Sequence, residues 1–342
     1  MANKKQILVV GPSWVGDMVM AQSLFKSIVQ QHAGAQIDVV APKWSLPILE
    51  RMPEVRKGYA LDVQHGETGI EKRKALGREL QKNGYDQAIT LPRSIKSALV
   101  PFFAKIPLRT GFRGELRYGL LNDIRPFDKS VLDQTVKRFT ALGQPKKADV
   151  SQLDLPRPEL TVDQANADRL LQSLNINIDK PVIGFMPGAE YGPAKQWPAE
   201  HFGALAKKIY QAGGQVWLFG SGKDSEVAEE IIQHAGGVGE NLCGKTQLAD
   251  VVDLLAQTKA VVSNDSGLMH VAAAVNTQII AIYGSSSPLF TPPLTDKAEI
   301  NWLEIECAPC FERTCKYGHY NCLQDITPEN IFKQLYIKVG FA

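Results

Sequence analysis

The first 90 residues alternate short apolar runs with longer amphipathic stretches. The runs QILVV (6–10), QIDVVAP (36–42) and YDQAITLP (85–92) have the length and composition of buried strands. Between them, DMVMAQSLFKSIVQQH (17–32) has the apolar spacing of a helix, and GETGIEKRKALGRELQKNG (66–84) is typical of a polar helix that ends in a glycine. Strands that alternate with helices indicate βαβ units and a parallel sheet.

The alternation weakens over residues 143–180 and starts again at Pro181. The segment GQPKKADVSQLDLPRPEL (143–160) is rich in proline and charge, which is typical of a linker, and VDQANADRLLQSLNI (162–176) predicts one helix. The strands predicted beyond it are PVIGFMP (181–187), QVWLFG (215–220), AVVSND (260–265) and IIAIYG (279–284). The helices predicted between them are AEHFGALAKKIYQAG (199–213), KDSEVAEEIIQHAG (223–236) and QLADVVDLLAQT (247–258).

This pattern predicts an α/β protein of two Rossmann-like domains, residues 1–160 and 161–326, whose parallel sheets face a central cleft. A third segment, 327–342, begins with a helix signal. Thr327 is the expected N-cap, and Pro328 and Glu329 follow it in the first turn.

The amino-acid composition limits the classes of protein to which the chain can belong. The chain has 342 residues, 44% of them hydrophobic and 22% charged, which is ordinary for a globular protein of two domains. No apolar run approaches the roughly 18 residues of a membrane span, and the opening MANKKQILVVG lacks the long apolar core of a secretory signal. We therefore expect a cytoplasmic protein.

The charge is divided unevenly along the chain. Residues 1–160 carry 25 Lys and Arg against 16 Asp and Glu, whereas residues 161–342 carry 13 against 20. The basic half fits an anionic partner or surface, although chance segregation on solvated faces gives the same count. Its densest part interleaves cations with Phe102, Phe103 and Phe112. The cations there are Arg93, Lys96, Lys105, Arg109, Arg113 and Arg117.

The C-terminal half carries candidate anion-binding loops. In SNDSGLMHVAAA (263–274), a polar turn opens a helix of small residues whose N–H groups favour anions. There Asp265 suits a sugar hydroxyl, and His270 lies in the first turn, but an ordinary helix cap fits equally well. In MPGAEYGPAKQWP (186–198), Lys195 is the only cation and suits a diphosphate. Thr246, in GKTQLADV, is an expected N-cap that also suits a nucleotide.

The stretch GPSWVGD (11–17) follows the first strand and resembles a phosphate loop at first sight. A P-loop needs Lys and then Ser or Thr after its second glycine, but Asp17 and Met18 stand there. A carboxylate repels phosphate. At a helix start, however, the dipole favours its ionised form.

Five cysteines occur, and four of them lie in CAPCFERTCKYGHYNC. These are Cys307, Cys310, Cys315 and Cys322. A C-x2-C pair with two further thiols can hold Zn²⁺ tetrahedrally, and in a reducing cytosol metal is favoured over disulfides. The spacing is not that of a standard zinc ribbon or ferredoxin, so a structural Zn²⁺ and reduced thiols both stay open. Cys243 stands alone and is expected to be a small buried hydrophobe.

Four motifs, GPSWVGDMVMAQSL, RTGFRGELRYGLLND, PGAEYGPAKQWP and NDSGLMHVAAA, occur in order across nearly the whole chain. Together they resemble the ADP-heptose:lipopolysaccharide heptosyltransferases, and most closely the type II enzymes. The resemblance implies a GT-B glycosyltransferase fold, with the acceptor on the N-terminal domain and ADP-heptose on the C-terminal one. It also implies that the last helix crosses back to the first domain.

The resemblance assigns roles to individual positions. Asp17 is the implied general base of an inverting transfer. The positions implied to surround the nucleotide-sugar are Lys195, Thr246, Asp265, Ser266, Gly267 and His270. We expect acceptor contacts from the basic residues Arg93, Lys96, Arg109, Arg113 and Arg117.

The implied reaction moves heptose from ADP-heptose to the first heptose of the lipopolysaccharide inner core. No catalytic cofactor is expected, and the acceptor is heptosyl Kdo-lipid A. Since that acceptor is a glycolipid, we expect peripheral association with the cytoplasmic surface of the inner membrane, and no nucleic-acid partner.

Two alternatives remain. A type I or type III enzyme would share fold and site but use another acceptor. An NAD-dependent oxidoreductase is remote, because G-x-G-x-x-G is missing after the first strand and no acidic residue ends the second.

Overall fold

The computed structural model describes residues 4–63 and 67–341. The chain divides into two compact units, of which one ends at Pro158 and the other begins at Glu159. Each unit is built on one parallel sheet of six strands, and the division falls within the proline-rich stretch 143–160.

The sheet of the first unit has the strand order β3-β2-β1-β4-β5-β6. Its strands are β1 (Gln6–Val10), β2 (Gln36–Ala41), β3 (Val55–Ala60), β4 (Gln87–Thr90), β5 (Leu108–Phe112) and β6 (Asp123–Arg125). The helices of this unit are α1 (Val15–Gln31), α2 (Leu46–Leu49), α3 (Ile70–Leu80), α4 (Leu99–Phe103) and α5 (Thr135–Leu142). The predicted start of the polar helix, Gly66, lies outside the described residues.

The central strand of this sheet is buried on both faces, which explains its unbroken apolar sequence. Leu8 and Val9 of β1 are fully buried, and β1 pairs in parallel with both β2 and β4. Edge strand β3 was not predicted, because VRKGYA carries two cations and lacks an apolar run. Only its pairing with β2 reveals it.

The second unit repeats the arrangement, with the order β12-β11-β10-β7-β8-β9. Its strands are β7 (Val182–Met186), β8 (Gln215–Leu218), β9 (Glu240–Asn241), β10 (Ala260–Asn264), β11 (Gln278–Tyr283) and β12 (Ala298–Trp302). The helices are α6 (Gln164–Ser173), α7 (Ala199–Gln211), α8 (Ser225–His234), α9 (Leu248–Leu255), α10 (Gly267–Ala274), α11 (Asn321–Gln324) and α12 (Pro328–Val339).

The last helix, α12, belongs to the second unit. The Thr327 hydroxyl accepts a hydrogen bond from the Asn330 N–H, as expected of an N-cap. Ile331 and Leu335 are fully buried in the core of the second unit. This apolar face packs against α7 and against strands β10 and β11 of the second sheet. That the helix crosses back to the first domain stays a prediction.

None of the helices in the described ranges is long and apolar enough to cross a bilayer.

Candidate functional site

Asp17 lies at the point where the strand order of the first sheet reverses. β1 and β4 are neighbours there, and their connections leave in opposite directions along the sheet. Asp17, half-buried in the first turn of α1, follows β1, and Arg93 follows β4. Such a switch point is where open α/β sheets bind ligands. Asp17 and Arg93 thus follow the carboxyl ends of two adjacent strands, at the same edge of the sheet.

Two indole rings flank this edge. Trp14, the N-cap residue of α1, is 48% exposed, and Trp44, after β2, is 54% exposed. Trp44 Nε1 donates to the Ser13 carbonyl oxygen at 3.1 Å, which fixes its ring against the loop that leads to Asp17. Neither residue was singled out from the sequence. The signal available was an aromatic residue in a turn directly after a strand.

Four of the five predicted acceptor residues retain some access to solvent. Arg93 and Arg113 are exposed, and the Arg93 guanidinium lies 4.4 Å from the Phe127 ring centroid. Lys96 and Arg109 are half-buried. Lys96 Nζ donates to the Glu67 carbonyl oxygen at 3.2 Å, and the Arg109 guanidinium donates to the carbonyl oxygens of Ile106 and Leu120, each at 2.6 Å.

Arg117 does not have the exposed position expected of an acceptor-binding residue. It is 2% exposed, and its guanidinium donates to the carbonyl oxygens of Phe112 at 2.7 Å and Pro92 at 2.8 Å. Burial lowers the pKa of Arg117 to about 10. Both terminal nitrogens of the guanidinium donate to backbone carbonyl oxygens, so Arg117 holds the loop together. Sequence position among other cations could not show this.

The second sheet has a matching switch point between β7 and β10. Lys195 lies on the long loop after β7, and Asp265 follows β10 directly. Lys195 Nζ donates to Asp265 Oδ2 at 2.5 Å, with side-chain exposures of 18% and 5%. Lys195 also lies 5.1 Å from the Tyr191 ring centroid. The structure thus joins two residues that the sequence analysis had treated separately.

Asn264 fixes the loop that carries Lys195. Its side-chain amide donates to the Pro187 carbonyl oxygen at 2.6 Å, and its Oδ1 accepts from the Trp197 N–H at 3.0 Å. Asn264 is fully buried, so both bonds are shielded from water. In the sequence, Asn264 is only one residue of a polar turn, and this role was not predicted.

Helix α10 begins directly beside this ion pair. Ser266 is its N-cap residue and Gly267 its first residue, and the first N–H groups of a helix have no partner within it. His270 is buried one turn further along. Burial lowers the pKa of His270 to about 4, against a smaller opposing effect of Asp265. The imidazole is therefore neutral near pH 7 and is not a cation.

Further hydroxyl groups lie at the same edge of the second sheet. Thr246 is not the N-cap of α9; Gln247 is, because its side chain and that of Asp250 bond reciprocally to the backbone. Among the described residues, the buried hydroxyls of Thr246, Ser285 and Ser286 lack a hydrogen-bond partner. The two serines follow β11 and were missed, although the run GSSS after a strand was visible.

All five cysteines are free thiols. Cys243 is buried as expected, and burial raises its thiol pKa to about 12. The other four line one small cavity of about 20 Å³, together with Ser285 and His319. These are Cys307, Cys310, Cys315 and Cys322. Within residues 4–63 and 67–341, no three His, Cys, Asp or Glu side chains already form a set of metal ligands.

Comparison with known proteins identifies the family of the chain. The family model for glycosyltransferase family 9 (heptosyltransferase) matches residues 73–321. Lipopolysaccharide heptosyltransferase 2 of Escherichia coli is 46% identical over 338 residues, covering 96% of this chain and 97% of the relative. The solved structure of E. coli ADP-heptose LPS heptosyltransferase II has a TM-score of 0.88 at 44% identity and covers 98% of each chain.

The sequence identity also distinguishes the type II members of the family from the type I members. Lipopolysaccharide heptosyltransferase 1 of Pseudomonas aeruginosa is only 25% identical, over 91% of this chain and 88% of the relative. The resemblance to the type II enzymes and the GT-B fold are confirmed, and the oxidoreductase alternative is excluded. The chain is a glycosyltransferase and belongs to glycosyltransferase family 9, the heptosyltransferases.

Proposed function

We propose that this enzyme transfers heptose from ADP-heptose to the first heptose of the lipopolysaccharide inner core, with inversion at the anomeric carbon. The observation that carries the proposal is the Lys195–Asp265 pair at the switch point of the second sheet. It offers one fixed ammonium group beside a helix N-terminus, which suits the diphosphate of a nucleotide-sugar. The type II relatives support the choice of acceptor.

The second unit would hold the donor. Lys195 and the N–H groups at the start of α10, around Ser266 and Gly267, stabilise the negative charge that grows on the departing diphosphate. Asp265 keeps Lys195 in place. The Thr246 hydroxyl and the neutral imidazole of His270 complete the polar lining for the nucleotide-sugar.

The first unit would hold the acceptor. Exposed cations such as Arg93 and Arg113 bind its phosphate and carboxylate groups, because guanidinium matches both in geometry. Lys96 and Arg109 contribute through the donors that the backbone leaves unused. The indole faces of Trp14 and Trp44 pack against the sugar rings. Arg117 acts only by holding this loop.

The transfer is one displacement. The acceptor hydroxyl oxygen forms a bond to the anomeric carbon as that carbon loses its bond to the diphosphate oxygen, through an oxocarbenium-like transition state. Asp17 takes the hydroxyl proton, and ADP leaves. The step uses only protein groups named here, so we expect turnover without added divalent cation.

The acceptor's lipid implies contact with the inner membrane. Phe102 is 40% exposed and lies beside Arg109, whose guanidinium is 5.8 Å from its ring centroid. A basic and aromatic surface of this kind binds anionic lipid headgroups. We propose peripheral association with the cytoplasmic leaflet through this surface.

The decisive experiment measures ADP release from ADP-heptose with two acceptors, Kdo-lipid A with and without its first heptose. We expect turnover with the heptosylated acceptor and little with the other. Turnover of the unheptosylated acceptor alone would show type I specificity. No ADP release with either acceptor would reject the proposed transfer.

A further inference from the structure

Four cysteines converge on one cavity of the second unit. In the Cys-rich loop (residues 305–322), Cys307, Cys310 and Cys315 are half-buried, and Cys322 is buried in the core of this unit. All four line the same small cavity. Sixteen residues of chain thus place four sulfur donors around one point.

The turn after Cys315 keeps the chain beside the cavity. The Gly318 N–H donates to the Cys315 carbonyl oxygen at 3.1 Å, and Gly318 has φ 75°, a conformation that favours glycine. Tyr317, His319 and Tyr320 of this turn line the cavity together with Cys315.

His319 is less suited than the thiols to be a ligand. Its Nδ1 accepts a hydrogen bond from the Asn321 N–H at 3.0 Å, so in the neutral ring Nε2 carries the proton. The ring also stacks on Tyr317, with centroids 5.6 Å apart. Lys316 lines the cavity as well and offsets negative charge there.

We propose that one tetrahedral thiophilic metal ion, Zn²⁺ by preference, is bound by the four thiols of this loop, Cys307, Cys310, Cys315 and Cys322. Four thiolates in tetrahedral arrangement are the donor set of Zn²⁺ and of single iron sites. The side chains do not stand as a ready set of ligands, so binding rotates each sulfur about its Cα–Cβ bond and releases the thiol protons.

The proposed metal would support the loop that carries Lys195. The Ala194 N–H donates to the Arg313 carbonyl oxygen at 3.0 Å, and the Tyr191 hydroxyl donates to the Phe311 carbonyl oxygen at 2.5 Å. Both acceptors belong to the Cys-rich loop. A Cβ added at Gly192 would stand 2.6 Å from the Arg313 carbonyl oxygen, so the two loops are in close contact. Fixing one loop therefore fixes the other.

The test is the metal content of the full-length protein, purified without chelator, by mass spectrometry. We expect about one metal ion per chain in the wild type, in keeping with a single four-ligand site. The variant Cys310→Ser/Cys315→Ser should lose it, whereas Cys243→Ser, altered at the buried thiol outside the loop, should keep it. If the bound metal is iron instead of zinc, the result supports the proposed site and changes only the identity of the ion.

Cobalt substitution keeps the proposal testable if the double variant does not fold. Wild-type protein loaded with Co²⁺ should show the visible bands of tetrahedral cobalt bound to thiolates. Wild type with neither native metal nor these bands overturns the proposal. Equal metal in wild type and a folded double variant overturns it too.

The consequence for activity rests on the proposed donor role of Lys195. Removing the metal should raise the KM for ADP-heptose several-fold and leave the KM for the acceptor unchanged. Metal content is measured without substrate, so a metal-bound protein with unaltered donor KM would reject only the link to the donor loop.

Discussion

Lys195 Nζ and Asp265 Oδ2 lie 2.5 Å apart, although 70 residues separate them in the chain. The pair joins the loops after β7 and β10, the two strands that meet where the strand order reverses. The buried Asp265 carboxylate holds the ammonium in place beside the first N–H groups of α10, which themselves attract an anion. The pair is therefore suited to bind a diphosphate and to favour its departure.

Replacement of Lys195 by Ala should lower kcat/KM for ADP-heptose by about 10²–10³, since one preorganised electrostatic contact is lost. Asp265→Asn should have a smaller effect, because the ammonium remains but is less firmly held. Steady-state ADP release measures both. Lys223→Ala is the matched control, because Lys223 is 78% exposed and pairs with exposed Glu190 in the same unit. Equal losses in the Lys195 and Lys223 variants would remove Lys195 from the donor site.

Asp17→Asn should lower kcat by about 10²–10⁴, the usual contribution of a general base, and leave ADP-heptose affinity unchanged. The amide keeps the shape of the side chain but cannot accept the proton. The measurements are ADP release with the heptosylated acceptor and calorimetric titration of the donor. Asp62→Asn, at an exposed carboxylate of the same unit, should match wild type. A kcat for Asp17→Asn within threefold of wild type would exclude the proposed base.

Variants of Arg117 and Arg113 should distinguish a residue that stabilises the fold from one that binds the acceptor. Arg117→Ala leaves the buried carbonyl oxygens of Phe112 and Pro92 without their donor, and should lower the free energy of unfolding by about 2–4 kcal/mol. Arg113→Ala should leave that free energy unchanged and raise the acceptor KM, with weaker dependence on salt. Urea unfolding and acceptor titrations measure the two effects.

Arg117→Lys serves as the control for charge. It keeps a cation but loses the fork of N–H donors, so its stability should fall nearly as far as that of Arg117→Ala. If both Arg117 variants have the stability of the wild type and a raised acceptor KM, Arg117 binds the acceptor after all.

His270 should make stability depend on pH. Burial lowers its pKa to about 4 in the folded protein from 6.5. The unfolded chain therefore binds a proton at pH values where the folded one does not. The stability from this group is complete above about pH 6.5 and is lost as the pH falls toward 4, by up to about 1.4 kcal/mol per pH unit.

Urea unfolding at about pH 7 and about pH 5 tests this effect. In His270→Gln the loss of stability between these values should be smaller than in wild type. His234→Gln should keep the wild-type loss, because His234 is 44% exposed. An unchanged loss in His270→Gln would mean that other groups cause it.

The principal strands were predictable from the sequence, as were the loops that carry the candidate site. Buried parallel strands such as β1 and β7 have unbroken apolar sequences, and a polar loop after such a strand lies at the binding edge of its sheet. Asp17, Lys195 and Asp265 could be singled out for that reason. Edge strand β3 could not be predicted, because its sequence carries charged residues that face solvent and has no apolar run.

Local sequence thus determined which segments form strands and helices, because periodicity and capping act over a few residues. Only the tertiary structure decided which polar groups meet. It paired Lys195 with Asp265, buried Arg117 against backbone carbonyl oxygens, and gathered four thiols around one cavity. The burial of a side chain and its hydrogen-bond partners depend on contacts between distant segments. An arginine in a basic run is therefore either an exposed cation or a buried donor to backbone carbonyl oxygens, and only the packing decides which.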